Sequence, residues 1–431
     1  MIQIDNTHID YGKMRSVWNG AIDRYPSAIF WPESPQDVVS IIRRAQDRQL
    51  QIAIRGSGHN VNGFAVCNRG IVIDLARMNN VTFRPKSGLV VLGAGVTNGQ
   101  LADVICPRGF VVPFASHRSV SYCGFALGGG LSLLSGLLGL ACDNILSARV
   151  VTSSGNIIDT DSWSHPELFW ALKGGGGNFG IVTSIKLKAQ EARQVLAGSI
   201  STTTTGLTDF LTGYRAMTEN CEDSITIFAN IRHSGADGFE VSYNICSTDT
   251  SAVPIQLAMG IDALGSSEPA SLQRVNYTDV LGWTAGLDPA GRHYEYSSRG
   301  IMNLDDQIVG LIEQTAQRMC LREQSISIYH QHGAVTRVAA GDTAYAGRKT
   351  PYLVRLQTCG GDDRNTKWLA SSMGRFDASE GWLTSVNLLG SDGHAAVSKV
   401  YDVNYSKLRM VKSKFDLDNL FNSNFNIKPY S

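Results

Sequence analysis

Apolar and polar positions in the first 190 residues follow two different periods. The segment ESPQDVVSIIRRAQDRQL places Val38, Val39, Ile41, Ile42 and Ala45 on one helical face and begins with Ser34 as an N-cap. Short β-branched runs, QIAI, IVIDL and LVVLGAG, end in turn residues and predict strands. This part of the chain is therefore predicted to mix helices with short strands.

Later segments of the same part repeat this mixture. TNGQLADVIC predicts a helix capped by Thr97, and Ser164 with Glu167 has the spacing of a capping box for the helix in SHPELFWALKG. LSARVVTSSGNIID predicts a hairpin with a Ser-Gly turn, and GIVTSIKLK predicts a closing strand.

The pattern changes around residues 200–210, where threonine and charge replace glycine-rich loops. SITIFANI, FEVSYNI and SISIYHQHG predict strands, whereas LDDQIVGLIEQTAQRM and a stretch beginning near Asn365 predict helices. We expect an antiparallel sheet covered by helices, and so an α+β protein.

Charge and composition limit the classes of binding partner that are expected. The 431 residues include 38 Lys and Arg against 38 Asp and Glu, so a nucleic acid or an anionic membrane is not expected as a partner. The length suggests two domains, with room for a third. The first residues, MIQIDNTHIDYGKMRSVWNG, lack a basic start and an apolar run, and we expect a cytoplasmic protein.

The eight cysteines are scattered and form no C-x-x-C pair, which favours small buried side chains over disulfides or a zinc site. His330 and His332 form an H-x-H pair that could ligate a metal, but no third ligand lies near them in the sequence. We therefore expect no metal.

Three glycine clusters, RGSGHNVNG, ALGGGLSLLSGLLGLACDN and KGGGGNFG, lie in the first 180 residues. The first has Val61 where a Rossmann fingerprint needs its third glycine, and none ends in Gly-Lys-Ser/Thr. Backbone N–H groups in such loops bind phosphate, so a dinucleotide cofactor remains the favoured ligand.

These clusters, with HPELFWALKGGGGNFGIVTSIKLK and the C-terminal VYDVNYSKLRMVKSKFDLDNLFNSNFNIKP, resemble the berberine bridge enzyme-like oxidases of the vanillyl-alcohol oxidase fold family. The resemblance implies a two-domain flavoprotein, with an FAD-binding α+β domain (1–195) and an antiparallel-sheet substrate domain (196–390). A C-terminal segment (391–431) is implied to return to the FAD domain.

The resemblance also implies that FAD is attached by one covalent bond from a ring nitrogen of His59 to the flavin 8α-methyl group. Relatives with a second attachment use a cysteine where this chain has His117, which is expected beside the flavin. Further residues expected around the cofactor are Arg55, Gly56, Ser57, Gly58, Asn60, Gly124, Gly128, Gly129, Gly130, Asp143, Asn144, Gly177, Gly180, Ile181, Val182, Asn424 and Asn426.

Catalytic candidates come from the strand SISIYHQHG, which supplies the base in relatives. Alternation puts Tyr329 and Gln331 on one face and His330 on the other, and a tyrosine or a histidine could act as the base. Asn387 matches a position of the family, while Ser385 stands where relatives commonly have tyrosine.

The resemblance implies an oxidase that removes a hydride from a small alcohol or amine to flavin N5, with O2 reoxidising the flavin to give H2O2. Three alternatives stay open: a dehydrogenase with another electron acceptor, a flavin-dependent cyclase, and a protein that sequesters a small molecule. The sequence does not fix the oligomeric state, and a homodimer is one possibility.

Overall fold

The fold was obtained as a computed structural model, which describes residues 1–235, 238–251, 272–281, 283, 288–377 and 383–430. The described strands, in chain order, are β1 (Ile2–Ile4), β2 (Ala28–Trp31), β3 (Ile52–Arg55), β4 (Ile71–Asp74), β5 (Val81–Arg84), β6 (Leu89–Gly93), β7 (Phe110–Val111), β8 (Ile145–Val151), β9 (Ile157–Thr160), β10 (Ile181–Lys188), β11 (Gln190–Glu191), β12 (Val195–Thr204), β13 (Ile225–His233), β14 (Phe239–Ser247), β15 (Gln273–Val275), β16 (Tyr294–Ile301), β17 (Ser325–His330) and β18 (Tyr352–Cys359).

The described α-helices are α1 (Tyr11–Arg15), α2 (Pro35–Asp47), α3 (Asn98–Ile105), α4 (Tyr122–Leu127), α5 (Ser135–Leu138), α6 (Pro166–Leu172), α7 (Thr208–Thr218), α8 (Tyr277–Val280), α9 (Asp306–Ala316), α10 (Ala334–Arg337), α11 (Asp363–Asp377), α12 (Gly393–Tyr401) and α13 (Tyr405–Phe415). Among the described residues, no helix combines the length and the apolar character needed to cross a membrane.

The first part of the chain forms two main sheets. One has the order β1-β2-β4-β3, in which β2, β4 and β3 run parallel, and the other has the antiparallel order β5-β6-β10-β8-β9. Helix α2 packs Val38, Ile41 and Ile42 into the core between these elements. Its N-terminus is a capping box between Ser34 and Asp37. The predicted mixture of helices and strands is confirmed.

The later part is built on one antiparallel sheet with the order β15-β12-β14-β13-β17-β18-β16. One face of this sheet is apolar and carries Ile227, Ile231, Ile328 and Val354 into a core with the covering helices. Helices α7, α9 and α11 supply Leu211, Ile312, Phe376 and other members of that core. The α+β expectation and the antiparallel sheet covered by helices are therefore confirmed.

One predicted cap is wrong. Helix α6 begins at Pro166 with His165 as its N-cap residue, and the side chain of Ser164 instead donates to the carbonyl of Asp159. Glu167 pairs with Lys414 of α13 rather than with the helix N-terminus. The helix begins one residue later than the predicted capping box requires, so Ser164 does not occupy the N-cap position.

The C-terminal tail after α13 returns to the first part of the chain. Phe421, Phe425 and Ile427 are buried in the same core as α2 and the glycine-rich loops. Asn178 of the third glycine cluster accepts a hydrogen bond from the Ile427 amide at 3.0 Å and donates to the Phe425 carbonyl. The C-terminal tail therefore packs beside the glycine-rich loops.

Candidate active site

His59 lies in the loop between β3 and β4, which connects parallel neighbours of the first sheet. Gly58, with φ of 76°, turns the chain just before it. The ring of His59 stacks on Trp18 with centroids 5.6 Å apart, and its Nε2 lies 2.6 Å from the hydroxyl of Ser119. Burial, with a smaller effect of His117, lowers the pKa of His59 to about 4, so its imidazole is neutral at physiological pH.

His117 joins His59 through one hydroxyl. Ser119 Oγ lies 2.8 Å from His117 Nδ1, and the two imidazole rings are 5.1 Å apart. Burial lowers the pKa of His117, against the opposing effect of the Asp288 carboxylate. The two histidines predicted beside the cofactor are therefore brought together, with Ser119 between them.

The remaining predicted residues of the first loop hold its backbone. Arg55 forms a buried ion pair with Asp74 at 2.9 Å and donates to the Met14 carbonyl. Ser57 accepts a hydrogen bond from the Ser121 amide, and Asn60 accepts one from the Asn62 amide. Gly56 leaves no room for a side chain, because a Cβ there would lie 2.6 Å from Ser121 Oγ. These contacts fix the shape of the loop around His59.

The second glycine loop, Gly128–Gly130, follows helix α4. Gly129 has φ of 109°, and a Cβ there would lie 2.7 Å from the ring of Tyr345, so only glycine fits. Asp143 receives two hydrogen bonds from Arg348, at 2.6 and 2.7 Å, and Asn144 donates to the carbonyls of Leu138 and Leu140. Both side chains therefore support the loop.

The third loop borders open space. A Cβ added at Gly176 or Gly177, or at Gly124 in α4, would meet no heavy atom within 4 Å. Gly180 precedes β10, whose first residues Ile181 and Val182 are buried in the core. The backbone of this loop is therefore accessible to a ligand.

The tail supplies polar atoms beside this space. Asn424 donates to the carbonyls of Phe421 and Gly177, at 3.1 and 3.4 Å. Within the described part of the chain, the Oδ1 atoms of Asn424 and Asn426 and the Nε1 of Trp18 are buried without a hydrogen-bond partner. Buried polar groups rarely stay unpaired, so these atoms fit a polar ligand between tail and loops.

These observations fit FAD. The third glycine loop offers open backbone for a phosphate-bearing group, the tail beside it offers unpaired amide oxygens, and the imidazole of His59 is neutral. The third loop and the tail come from separate parts of the sequence and are in contact, and the roles of the residues predicted around the cofactor stay predictions.

The second face of the seven-stranded sheet is polar. Strand register places Asn230, Ser327, Tyr329, Arg355 and Tyr296 on this face, opposite the apolar face that carries Ile328 and Val354. Ser327 donates to Asn230 at 2.9 Å. A polar sheet face that is covered by other parts of the protein is unusual inside a core. This face is therefore suited to binding a polar small molecule.

Arg355 places a positive charge on the polar face. Its guanidinium lies 5.6 Å from the ring centroids of both Tyr296 and Tyr329, and its Nε is buried without a partner among the described residues. Burial acts to lower the pKa of Arg355, but Tyr329, Asp288 and Tyr296 together leave that pKa raised. Arg355 is therefore a fixed positive charge at this face.

Aromatic contacts join the polar face to the His59 loop. Tyr294 stacks on Trp18 with centroids 4.1 Å apart, and Trp18 in turn stacks on His59. Asn19 donates to the carbonyls of Val61 and Tyr294, at 2.7 and 2.9 Å. The loop with His59 and the polar face with Tyr329 therefore border the same site.

The other catalytic candidates lie apart from Tyr329. His330 is buried on the apolar side, stacked on His332 and Tyr352, and burial with a smaller effect of His332 lowers its pKa to about 2. The side chain of Gln331 donates to the carbonyls of Gly347 and Thr350 and accepts from Tyr345. Of the three catalytic candidates predicted in this strand, Tyr329 is therefore the one that lies on the polar face.

Asn387 lies against the second glycine loop. It donates to the Phe125 carbonyl at 2.8 Å, and its own carbonyl accepts from the hydroxyl of Tyr296. Ser385, where relatives commonly have tyrosine, contacts the Gly128 carbonyl at 3.4 Å. Asn387 therefore links loop and polar face.

Sequence reasoning missed Trp18, Ser119 and Arg355. An arginine inside the apolar strand sequence YLVRLQTC is a detectable signal, because it marks the face that is not packed in a core. Trp18 and Ser119 both contact His59, at sequence separations of 41 and 60 residues. No local sequence pattern predicts contacts over such separations.

Two family models match parts of the chain. Residues 26–161 match the family model described as FAD binding domain, and residues 381–428 match that described as Berberine and berberine like. The chain is 38% identical over 192 residues to (R)-6-hydroxynicotine oxidase of Paenarthrobacter nicotinovorans, covering 44% of this chain and 42% of that protein. This match thus spans about two-fifths of the relative.

Other relatives align along their whole length. The uncharacterized FAD-linked oxidoreductase YgaK of Bacillus subtilis is 26% identical over 97% of this chain and 95% of its own. The crystal structure of 6-hydroxy-D-nicotine oxidase from Arthrobacter nicotinovorans superposes with a TM-score of 0.86 at 26% identity, covering 100% of this chain and 98% of that chain. Berberine bridge enzyme from Eschscholzia californica has a TM-score of 0.88 at 19% identity, covering 100% and 97%, and shares the fold.

Proposed function

We propose, from the premise that this chain is an FAD-linked oxidoreductase of the berberine bridge enzyme-like family, that it oxidises a small alcohol or amine by hydride removal and passes the electrons to O2. The observation that carries the proposal is the position of His59. It lies in a glycine-rich loop and is joined, through the stacked rings of Trp18 and Tyr294, to the polar face of the sheet.

When bound, FAD would accept the hydride and be reoxidised by O2 with release of H2O2. The first and third glycine loops would hold its phosphates, and Asn424 and Asn426 would supply hydrogen-bond acceptors from the tail. His59 would provide the covalent attachment, because its neutral imidazole is free to act as a nucleophile. Ser119 would hold that ring in place through Nε2.

Tyr329 is the acid–base group that we assign to the substrate hydroxyl or amine. Its ring is fixed against Phe228, with centroids 5.0 Å apart, and faces Arg355. Arg355 would orient a polar group of the substrate, and the stacked Trp18 and Tyr294 would border an apolar part. We infer a substrate that combines a ring or chain of carbon atoms with a polar group.

Oxidase activity is supported by the names of similar proteins, which include (R)-6-hydroxynicotine oxidase and chitooligosaccharide oxidase. The oxidase and the dehydrogenase differ in how fast O2 reoxidises the reduced flavin. Rapid consumption of O2 with formation of H2O2 is the expected result after reduction by substrate. Slow reoxidation in air, with fast reoxidation by an added acceptor, would make the chain a dehydrogenase.

The covalent attachment is tested by the intact mass and visible spectrum of acid-denatured protein. We expect the unaltered chain to carry the mass of one FAD and to stay yellow after denaturation. His59→Ala should lose the adduct, whereas His117→Ala, the matched control on the other side of Ser119, should keep it. An unaltered chain with the mass of the bare polypeptide would overturn the covalent proposal.

A further inference from the structure

A cysteine and two histidines meet on the apolar side of the seven-stranded sheet. Cys221 lies in the turn between α7 and β13, His330 is the last residue of β17, and His332 follows two residues later. One ligand atom from each of these three side chains lies within 4.8 Å of the others. The sequence did not reveal this group, because Cys221 is more than 100 residues from the H-x-H pair.

The histidine nitrogens of this cluster have unmet hydrogen-bonding capacity. Within the described ranges, His330 Nδ1 and both ring nitrogens of His332 are buried and make no hydrogen bond of normal geometry. The two rings stack at 4.3 Å with an angle of 9°, so they present their edges side by side. Buried polar groups rarely stay unpaired, so these nitrogens favour a bound partner.

We propose that Cys221, His330 and His332 bind a zinc ion that ties the turn after α7 to the end of β17. Thiolate and imidazole together are the ligands of Zn²⁺ in proteins, and three of them leave a fourth tetrahedral position for water. Binding forms one Zn–S and two Zn–N bonds and releases the thiol proton to solvent.

The distances require a small contraction. Bonds of about 2.0–2.3 Å to a tetrahedral ion place ligand atoms roughly 3.3–3.8 Å apart, which is up to about 1.0–1.5 Å closer than the 4.8 Å within which they lie here. Cys221 is only half-buried and contacts the Ile225 carbonyl at 3.3 Å through a weak S–H bond. Its side chain can therefore turn toward the histidines at low cost.

The site also contacts the first part of the chain. A Cβ at Gly136 in α5 would lie 2.5 and 2.7 Å from Cε1 and Nε2 of His332, so only glycine lets α5 approach the ring. The Asp223 carboxylate beside this region pairs with Arg337 at 2.6 Å. A cation here would therefore stabilise the contact of α5 with the sheet, independently of the proposed oxidation.

The first experiment measures zinc in the flavin-loaded protein, purified without a polyhistidine tag, by plasma mass spectrometry. We expect about one zinc per chain, and X-ray absorption should show one sulfur at about 2.3 Å and two nitrogens at about 2.0–2.1 Å. A zinc-free protein that takes up no zinc after incubation and desalting would overturn the proposal. So would a first shell without sulfur.

Variants locate the ion. Cys221→Ser and His332→Gln should each weaken zinc binding by more than about 100-fold, because they remove a direct ligand. Cys320→Ser is the matched control, since Cys320 is exposed and precedes the start of β17, whereas His330 lies at the end of that strand. Cobalt in place of zinc should give ligand-field bands at wavelengths beyond those of the flavin. The same cobalt spectrum in Cys221→Ser would place the ion elsewhere and overturn the proposal.

Discussion

At the scale of single residues, the site depends on groups whose neighbours change their chemistry. His59 and His117 share the hydroxyl of Ser119, and both imidazoles are kept neutral by burial. Tyr329 is the predicted residue of its strand that faces the polar side of the sheet, where Arg355 provides a fixed charge. A neutral nucleophile and a polar substrate face are what the proposed chemistry requires.

Tyr329→Phe should lower kcat by about 10²–10⁴-fold, because it removes the proposed acid–base group but keeps the ring contact with Phe228. The measurement is the rate of flavin reduction by substrate in rapid mixing. Tyr352→Phe, on the opposite face of the same sheet, is the control and should leave this rate unchanged. Equal rates in Tyr329→Phe and the unaltered protein would remove Tyr329 from the mechanism.

The pH dependence of covalent attachment follows from the lowered pKa of His59. An ordinary histidine becomes protonated near pH 6.5, whereas His59, held near 4 by burial and by His117, stays neutral and nucleophilic below that pH. When apoprotein is mixed with FAD, the attachment rate should be flat from about pH 8 to pH 5 and fall near pH 4. A midpoint near 6.5 would show that His59 is solvated instead.

At the scale of elements, alternation along a strand separates two functions. Tyr329 faces the polar side of β17, and the next residue, His330, faces the helices and Cys221.

The contact between α13 and the tail depends on Lys412, whose side chain extends from α13 into the core. Its Nζ donates to Asp416 at 2.6 Å and to the carbonyls of Asn178 and Phe421. One buried ammonium thus joins helix, tail and third glycine loop.

Lys412→Met should destabilise the protein by about 3–5 kcal/mol, because it leaves the fully buried Asp416 carboxylate without its countercharge. The thermal midpoint and the retention of flavin after gel filtration should both fall. Lys414→Met, two residues away on α13, removes only a surface ion pair with Glu167 and should cost less than about 1 kcal/mol. Equal losses in the two variants would contradict this role for Lys412.

At the scale of the whole molecule, ion pairs and aromatic stacks join the glycine-rich part of the chain to the seven-stranded sheet. Arg348, completely buried, pairs with Asp143 of the second glycine loop and also donates to Thr343. Trp18 stacks on Tyr294, and the ring of His332 packs closely against Gly136. The candidate site lies between these two parts, so its geometry depends on how firmly they are joined.

Arg348→Met should lower the free energy of unfolding by about 3–5 kcal/mol, since Asp143 remains in a largely buried position without its partner. Urea titration followed by flavin and tryptophan fluorescence measures the loss, and flavin release should precede unfolding. Arg364→Met, which breaks an exposed pair with Asp362, is the control and should change stability by less than about 1 kcal/mol. A loss of less than about 1 kcal/mol in the free energy of unfolding of Arg348→Met would exclude an anchoring role for Arg348.

The sequence by itself determined the fold class, five of the 13 described helices, half of the 18 described strands and the position of His59 in a glycine-rich loop, because hydrophobic period, turn residues and motif spacing are local properties. It failed at Ser164, because α6 begins at Pro166 with His165 as its N-cap residue.

Only the tertiary structure decided that Ser119 lies between two histidines, that Arg348 reaches Asp143, and that Cys221 approaches the H-x-H pair. The physical reason is that such groups interact across 60 to more than 200 residues, where packing of sheets and helices sets the distance. Burial then lowers the pKa of His59 and of His330, and the depth of that burial depends on residues that are distant in the sequence.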